Sequence, residues 1–290
     1  GITAALENSL AVNFIFNMSG LEGDGYYAVI EKAKYDGTIE KTITVPQSEW
    51  GTHSAGSRIT YPGVNSTQMT ENFTITIYNK DGVQVSVNYT RNMREYLMGQ
   101  IEKSSVAAVK KTMYVDLLNY GAAAQKYFDY NTAEENLANY LLTEDQKALG
   151  TPDNVTIEGE LSKGYGYLGA TAVLESEITL NFVYNKDLIA EAVNAKITYT
   201  NYLGAEKTYT AEIIDRPGYV GTHKMVAVTG MSVPDCGYMM TVELLDGEGK
   251  TISTTVDSVA AYCARQIAKG DTRELYPALI KLAYSADIAF

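Results

Sequence analysis

Histidine, cysteine and tryptophan are almost missing from this chain, at two, two and one of 290 residues. A serine or cysteine nucleophile needs a base within hydrogen-bond reach, usually histidine. His53 and His223 are the whole supply, and no Gly-x-Ser-x-Gly elbow or Cys-His constellation accompanies them. Zinc needs three or four clustered ligands, yet there is no His-Glu-x-x-His, no Cys-x-x-Cys and no third histidine. The glycine-rich stretches Gly20–Gly25 and Gly164–Gly169 lack the Lys-Ser/Thr of a nucleotide loop and a following helix. The expectation is a protein with no cofactor, no metal and no catalytic residues.

Basic runs and long apolar runs are missing too. With a net charge of −12 and no basic stretch able to follow a phosphate backbone, nucleic acid is not an expected partner. No apolar run reaches about 18 residues and no basic amphipathic helix stands out, so no membrane insertion is expected. Cys236 and Cys263 lie in the second half without metal-ligand spacing, and their pairing or freedom stays open. The chain begins Gly1-Ile2-Thr3 without an initiator Met or signal peptide, and reads as a piece of something longer.

Carboxylates are plentiful, so counting alone leaves a glycosidase pair open. The best matched acids, Glu7 and Glu175, sit at strand starts, where a capping or solvated role is the plainer explanation. The turns at Asp81 and at Asp246 to Glu248 carry oxygen ligands but lack the repeated spacing of a calcium loop, and read first as tight hairpin turns.

What the chain does have is tyrosine, 23 against 6 phenylalanines, and a repeat. Tyrosine tolerates a half-wet surface because its ring packs while its hydroxyl stays hydrated. Leu6 to Asn17 matches Leu174 to Asn185 without a gap, 168 residues downstream. Alternate positions are large and apolar in both (Leu10, Val12, Phe14, Phe16; Ile178, Leu180, Phe182, Tyr184), the period-2 pattern of a strand with one face in a core. Tyr35 and Gly37 then answer Tyr202 and Gly204, and Gly51-Thr52-His53 recurs as Gly221-Thr222-His223. Strand alternation returns at Phe73, Ile75, Ile77 and at Met240, Val242, Leu244, each followed by a turn signal.

After the last strand the period becomes helical. Tyr96, Gln100 and Ile101 answer Tyr262, Gln266 and Ile267 on a first helix. Met113, Leu117, Tyr120, Ala124 and Phe128 answer Leu275, Leu279, Leu282, Ala286 and Phe290 as one face of a second. Strands followed by helices indicate an α+β class: two tandem homologous units, each an antiparallel β-sandwich-like sheet followed by a helical pair. The expected boundaries are 1–142 for the first unit, 143–155 for a linker preceded by helical Ala133 to Tyr140, and 156–290 for the second.

Proteins that hold sugars set exposed aromatic rings beside short polar groups. Trp50 lies in a polar stretch beside Gly-Thr-His, and Tyr219 occupies nearly the same place in the second unit. Trp50 reads equally as an exposed platform or a core plug. His53 and His223 either close turns onto backbone carbonyls or hydrogen-bond a ligand hydroxyl. Tyr26, Tyr27, Tyr165 and Tyr167 adjoin glycines, which leaves little local packing to bury them. Tyr96, Tyr120, Tyr262 and Tyr284, on helices, are expected in the core.

The segments Leu117 to Phe128, Asn13 to Phe16 and Ser258 to Tyr262 together resemble a repeated module of large secreted surface proteins of gut clostridia and ruminococci. The resemblance covers most of both halves and implies an extracellular protein of fibre or starch adherence, of the cellulosome and amylosome kind. It implies a polysaccharide or oligosaccharide ligand, starch among them, with other surface or scaffold proteins as further partners. It transfers no binding motif. The competing class is a structural spacer or protein-interaction module, which would bury its aromatic rings where a binder would expose them.

Overall fold

A computed structural model describes residues 1–5, 10–19, 23–155, 159–174 and 178–289. The acids Glu7 and Glu175, residues 20–22 and Phe290 lie outside the described residues. The chain divides into two compact units, Gly1–Gly150 and Thr151–Phe290.

The first unit carries β1 (Ile2–Ala5), β2 (Ala11–Phe16), β3 (Tyr27–Ala33), β4 (Ile39–Pro46), β5 (Gly51–His53), β6 (Gly56–Tyr61), β7 (Asn72–Tyr78) and β8 (Tyr89–Arg91). Helices α1 (Met93–Glu102), α2 (Ala108–Tyr127) and the short α3 (Glu144–Lys147) follow. The strands form two antiparallel sheets, in the orders β1-β2-β6-β5 and β4-β3-β7-β8. Aromatic contacts join the sheets across the core: Tyr61 lies 4.9 Å from Phe73 and Phe14 6.2 Å from Tyr89, between ring centroids.

The second unit repeats this order with β9 (Tyr167–Leu174), β10 (Ile178–Asn185), β11 (Asn194–Thr200), β12 (Glu206–Glu212), β13 (Ile214–Asp215), β14 (His223–Met231), β15 (Met240–Leu245) and β16 (Thr251–Asp257), then α4 (Val259–Ala268) and α5 (Leu275–Ala289). Its sheets run β13-β14-β10-β9 and β12-β11-β15-β16, the same topology strand for strand. Among the described residues the architecture is therefore mostly β, four antiparallel sheets of four strands, where an α+β class was expected.

The apolar alternation locates the core. Val12, Phe14, Leu180, Phe182 and Tyr184 are buried, as are Ile75, Ile77, Met240, Val242 and Leu244. The other side of β2 and β10 is covered as well, since Asn13, Ile15, Asn181 and Val183 are buried. These are central strands with neighbours on both edges, so the expectation of a single buried face was too narrow. Each first helix starts on a side-chain cap, Asn92 accepting from Glu95 N–H and Ser258 from Ala261 N–H. Cys236 and Cys263 are both free and buried, and burial pushes both thiols up, Cys263 to about 12.

Three local expectations are corrected. Residues 133–140 hold only a 3-10 turn at Glu134–Asn136. Side chains capture their backbone: Gln125 donates to Asn136 O and accepts from Ala138 N–H, and Arg94 donates to Leu137 O. The expected linker carries a capped helical turn, with Thr143 and Gln146 bonding reciprocally across α3. The matching Gly-Thr-His triplets are not equivalent in space. Phe16 pairs with Ser57 while Tyr184 pairs with Lys224, which aligns His223 with Gly56, three residues beyond His53. Pairing with the central strand fixes register, and a three-residue identity in the adjoining segments does not.

One buried charge cluster holds the first unit. The period-2 pattern of β3 turns Lys32 inward, where its ammonium lies 2.5 Å from Glu40 Oε2 and 3.1 Å from Glu71 Oε2. Tyr130, beyond α2, donates its hydroxyl to Glu71 Oε1. Burial works against the Lys32 charge, but the two carboxylates outweigh it and raise its pKa. Lys32→Met is expected to destabilise the chain by about 3–5 kcal/mol in urea denaturation, because Glu71 is left buried without its counterion. Recovery of most of that loss in Lys32→Met/Glu71→Gln would identify the stranded charge as the cause; equal losses would assign it to packing.

Candidate ligand site in the second unit

The glycine-spaced segment Lys163-Gly164-Tyr165-Gly166-Tyr167 is laid onto β16 before β9 begins. Ser162 exchanges two backbone hydrogen bonds with Val256, at 3.1 and 2.9 Å, and Ser253 Oγ donates to Tyr165 O at 2.9 Å. Gly164 makes this approach feasible: a Cβ there would stand 2.4 Å from Ser253 Oγ and 2.6 Å from Thr254 O. Gly166 then turns the chain at φ +76°. The outcome is that Tyr165 points out, 61% exposed, while Tyr167 turns in toward Phe182 and Tyr184.

Tyr167 donates its hydroxyl to Asp257 Oδ2 at 2.7 Å, tying the first strand of one sheet to the last strand of the other. Asp257 is 2% exposed and accepts three more bonds, from Ser258 N–H at 2.8 Å and from the two terminal nitrogens of Arg265 at 3.0 and 2.6 Å. Burial, and then the Asp257 charge, push the Tyr167 phenol well above its ordinary range, so it remains a donor.

Beside this tie opens a cleft of about 520 Å³. Strands β9 and β10 contribute Tyr167 to Thr171 and Val183, α4 contributes Arg265 and Gln266, and Lys269 follows at the end of that helix. Lys163, Arg216, His223 and Asp257 line it as well. At the rim the Arg216 guanidinium lies 4.6 Å over the Tyr219 ring, whose centroid is 4.9 Å from that of His223. Such a stack holds an arginine flat and leaves its edge open to a ligand. Thr222 Oγ1 bonds His223 Nδ1 at 2.6 Å, which fixes the ring against the turn.

Of the eight residues singled out in the sequence, Tyr167 and His223 line the cleft, and Tyr219 stands at its rim. Tyr165 is adjacent, on the exposed side of the same segment. The other four lie in the first unit. Trp50 is half-buried and donates its indole N–H to Val45 O at 3.1 Å. His53 Nδ1 accepts from Ala55 N–H, closing the turn onto a backbone donor instead of a carbonyl. Tyr27 stacks on Tyr78 at 5.3 Å, and Tyr26 pairs its backbone with Gln47. Neither Asp257, Arg265 nor Arg216 was found from the sequence. A signal existed in the repeat itself: with Asn92 and Ser258 as matched helix caps, Arg91 stands opposite Asp257 and Gly99 opposite Arg265, so the ion pair belongs to the second unit alone. Gly164→Ala is expected to lower stability by about 1–3 kcal/mol, the range for forced overpacking, in urea denaturation. An unchanged midpoint would mean that the segment is not seated on β16.

No protein-family model and no curated protein matches the sequence. Solved structures similar to it include a two fibronectin type-III domain segment from chicken tenascin, at 6% identity over 89% of this chain and 97% of that one, with a TM-score of 0.21. A tetra-tandem repeat in the extending region of a large adhesion protein matches at 9% identity over 90% of this chain and 48% of that one, with a TM-score of 0.20. Overlaps this loose carry nothing about ligand, activity or partner.

Proposed function

We propose that the chain is a non-catalytic carbohydrate-binding module of an extracellular, cell-surface protein, taking up a polysaccharide in the cleft of its second unit. The observation that carries this reading is the meeting of Tyr167, His223 and the Tyr219–Arg216 stack at one cleft of about 520 Å³. That volume falls within the roughly 300–1,000 Å³ usual for small-ligand sites. An aromatic face beside hydrogen-bonding groups matches a sugar, which offers a flat C–H face edged by hydroxyls. A spacer or protein-interaction role suits the first unit better, because Trp50, His53 and Tyr27 there are engaged with their own chain.

Affinity electrophoresis through gels containing starch, xylan, glucomannan, β-glucan or polygalacturonate tests the proposal. The chain is expected to be retarded by at least one polysaccharide. Tyr219→Ala should weaken that binding about tenfold, as loss of a stacking anchor does, and Trp50→Ala should leave it unchanged. If no gel slows the chain, the binding reading fails and the spacer reading takes its place.

A further inference from the structure

Charge in the second unit is distributed unevenly. Among the described residues four cations line the cleft, Lys163, Arg216, Arg265 and Lys269, against one carboxylate, Asp257. Asp257 is fully occupied by Tyr167, Arg265 and Ser258 and faces no ligand with a free lone pair of low cost. Among the described residues no carboxylate pairs with Lys163, Arg216 or Lys269. Away from the cleft the same unit pairs its cations: Lys186 and Lys224 with Asp215, Lys196 with Glu243, Arg273 with Asp271 and Lys281 with Asp153. Only Lys207 and Lys250 elsewhere in the unit stand without an ion pair among the described residues.

We infer that the cleft takes an acidic glycan, one whose sugar rings carry hexuronate carboxylates. This rests on the binding reading above and specifies its ligand. The whole chain is acidic, at −12, and would repel a polyanion at long range. Charges are screened over about 8–10 Å at ordinary ionic strength, so the local excess of cations sets the field inside the cleft. A uronate supplies what the lining asks for: a planar carboxylate for the open edge of Arg216 and for the two lysines, with a ring face for Tyr219. A neutral glucan would leave Lys163, Arg216 and Lys269 unanswered.

The test compares polygalacturonate with neutral starch and β-glucan by isothermal titration calorimetry, at low salt and near 1 M, where the screening length falls to about 3 Å. Two double variants remove equal charge: Lys163→Gln/Lys269→Gln at the cleft and Lys207→Gln/Lys250→Gln away from it. The expected result is salt-sensitive binding of polygalacturonate, about tenfold weaker in the cleft variant at roughly threefold per lysine, and unchanged in the other. Equal weakening in both variants would make the attraction diffuse and overturn the inference. Binding of a neutral glucan without polygalacturonate would overturn it while leaving the binding module standing. Binding of none of the three would remove both.

Discussion

The second unit is organised around a buried carboxylate. Asp257 ends β16 and is immediately followed by Ser258, the cap of α4, so its side chain sits where two sheets and a helix meet. An ionised carboxylate taken out of water costs several kcal/mol unless it is paired and hydrogen-bonded. Four bonds answer that cost, one from the adjoining backbone N–H, two from Arg265 and one from Tyr167. A missing donor would cost more than an added one gains, so each donor is constrained in place. The Tyr167 bond fixes where β9 starts, and the Arg265 pair fixes the facing of α4. Between those two elements the cleft opens. Such a pair says little about net stability; its consequence is position.

The first unit solves the same problem differently. There a buried acid is Glu71, just before β7, with Lys32 and Tyr130 as partners. Both units thus use a tyrosine hydroxyl on a buried carboxylate, at positions that do not correspond. Apolar burial is non-directional and tolerates substitution as long as volume and pattern are kept. Buried polar groups need particular partners at particular distances, so a change at one requires changes at the others. Two copies of one fold can therefore share their cores while their polar ties, and the surfaces those ties position, diverge.

That difference explains what the sequence made legible. Strands with period-2 alternation, such as those around Phe14 and Phe182, were readable because burial depends on local pattern. The hairpin turns at Gly37 and Gly204 were readable because both need positive φ, at 85° and 75°. His53 and His223 were misaligned because a strand's partner sets its register, and that partner lies far away in sequence. Tyr167 was found as a glycine-flanked tyrosine for the wrong reason: the nearby glycines do not expose it, since Gly164 lets its segment press onto β16 and Gly166 turns the chain. Arg216 and Arg265 were passed over because a lone arginine in a loop or helix has no signature until its neighbours are known.

The repeat is most informative where it fails. Arg91 faces Asp257 across the alignment, and Gly99 faces Arg265, so the ion pair that builds the cleft has no counterpart in the first unit. Because Arg265 gives both terminal nitrogens to Asp257, its role there is to hold the wall. The cations there without a carboxylate partner among the described residues are Lys163, Arg216 and Lys269, of which Arg216 stacks on Tyr219. A site so divided separates its two requirements. Its shape rests on buried, mutually dependent groups, while the ligand preference proposed for it would rest on charges that carry no ion pair of their own.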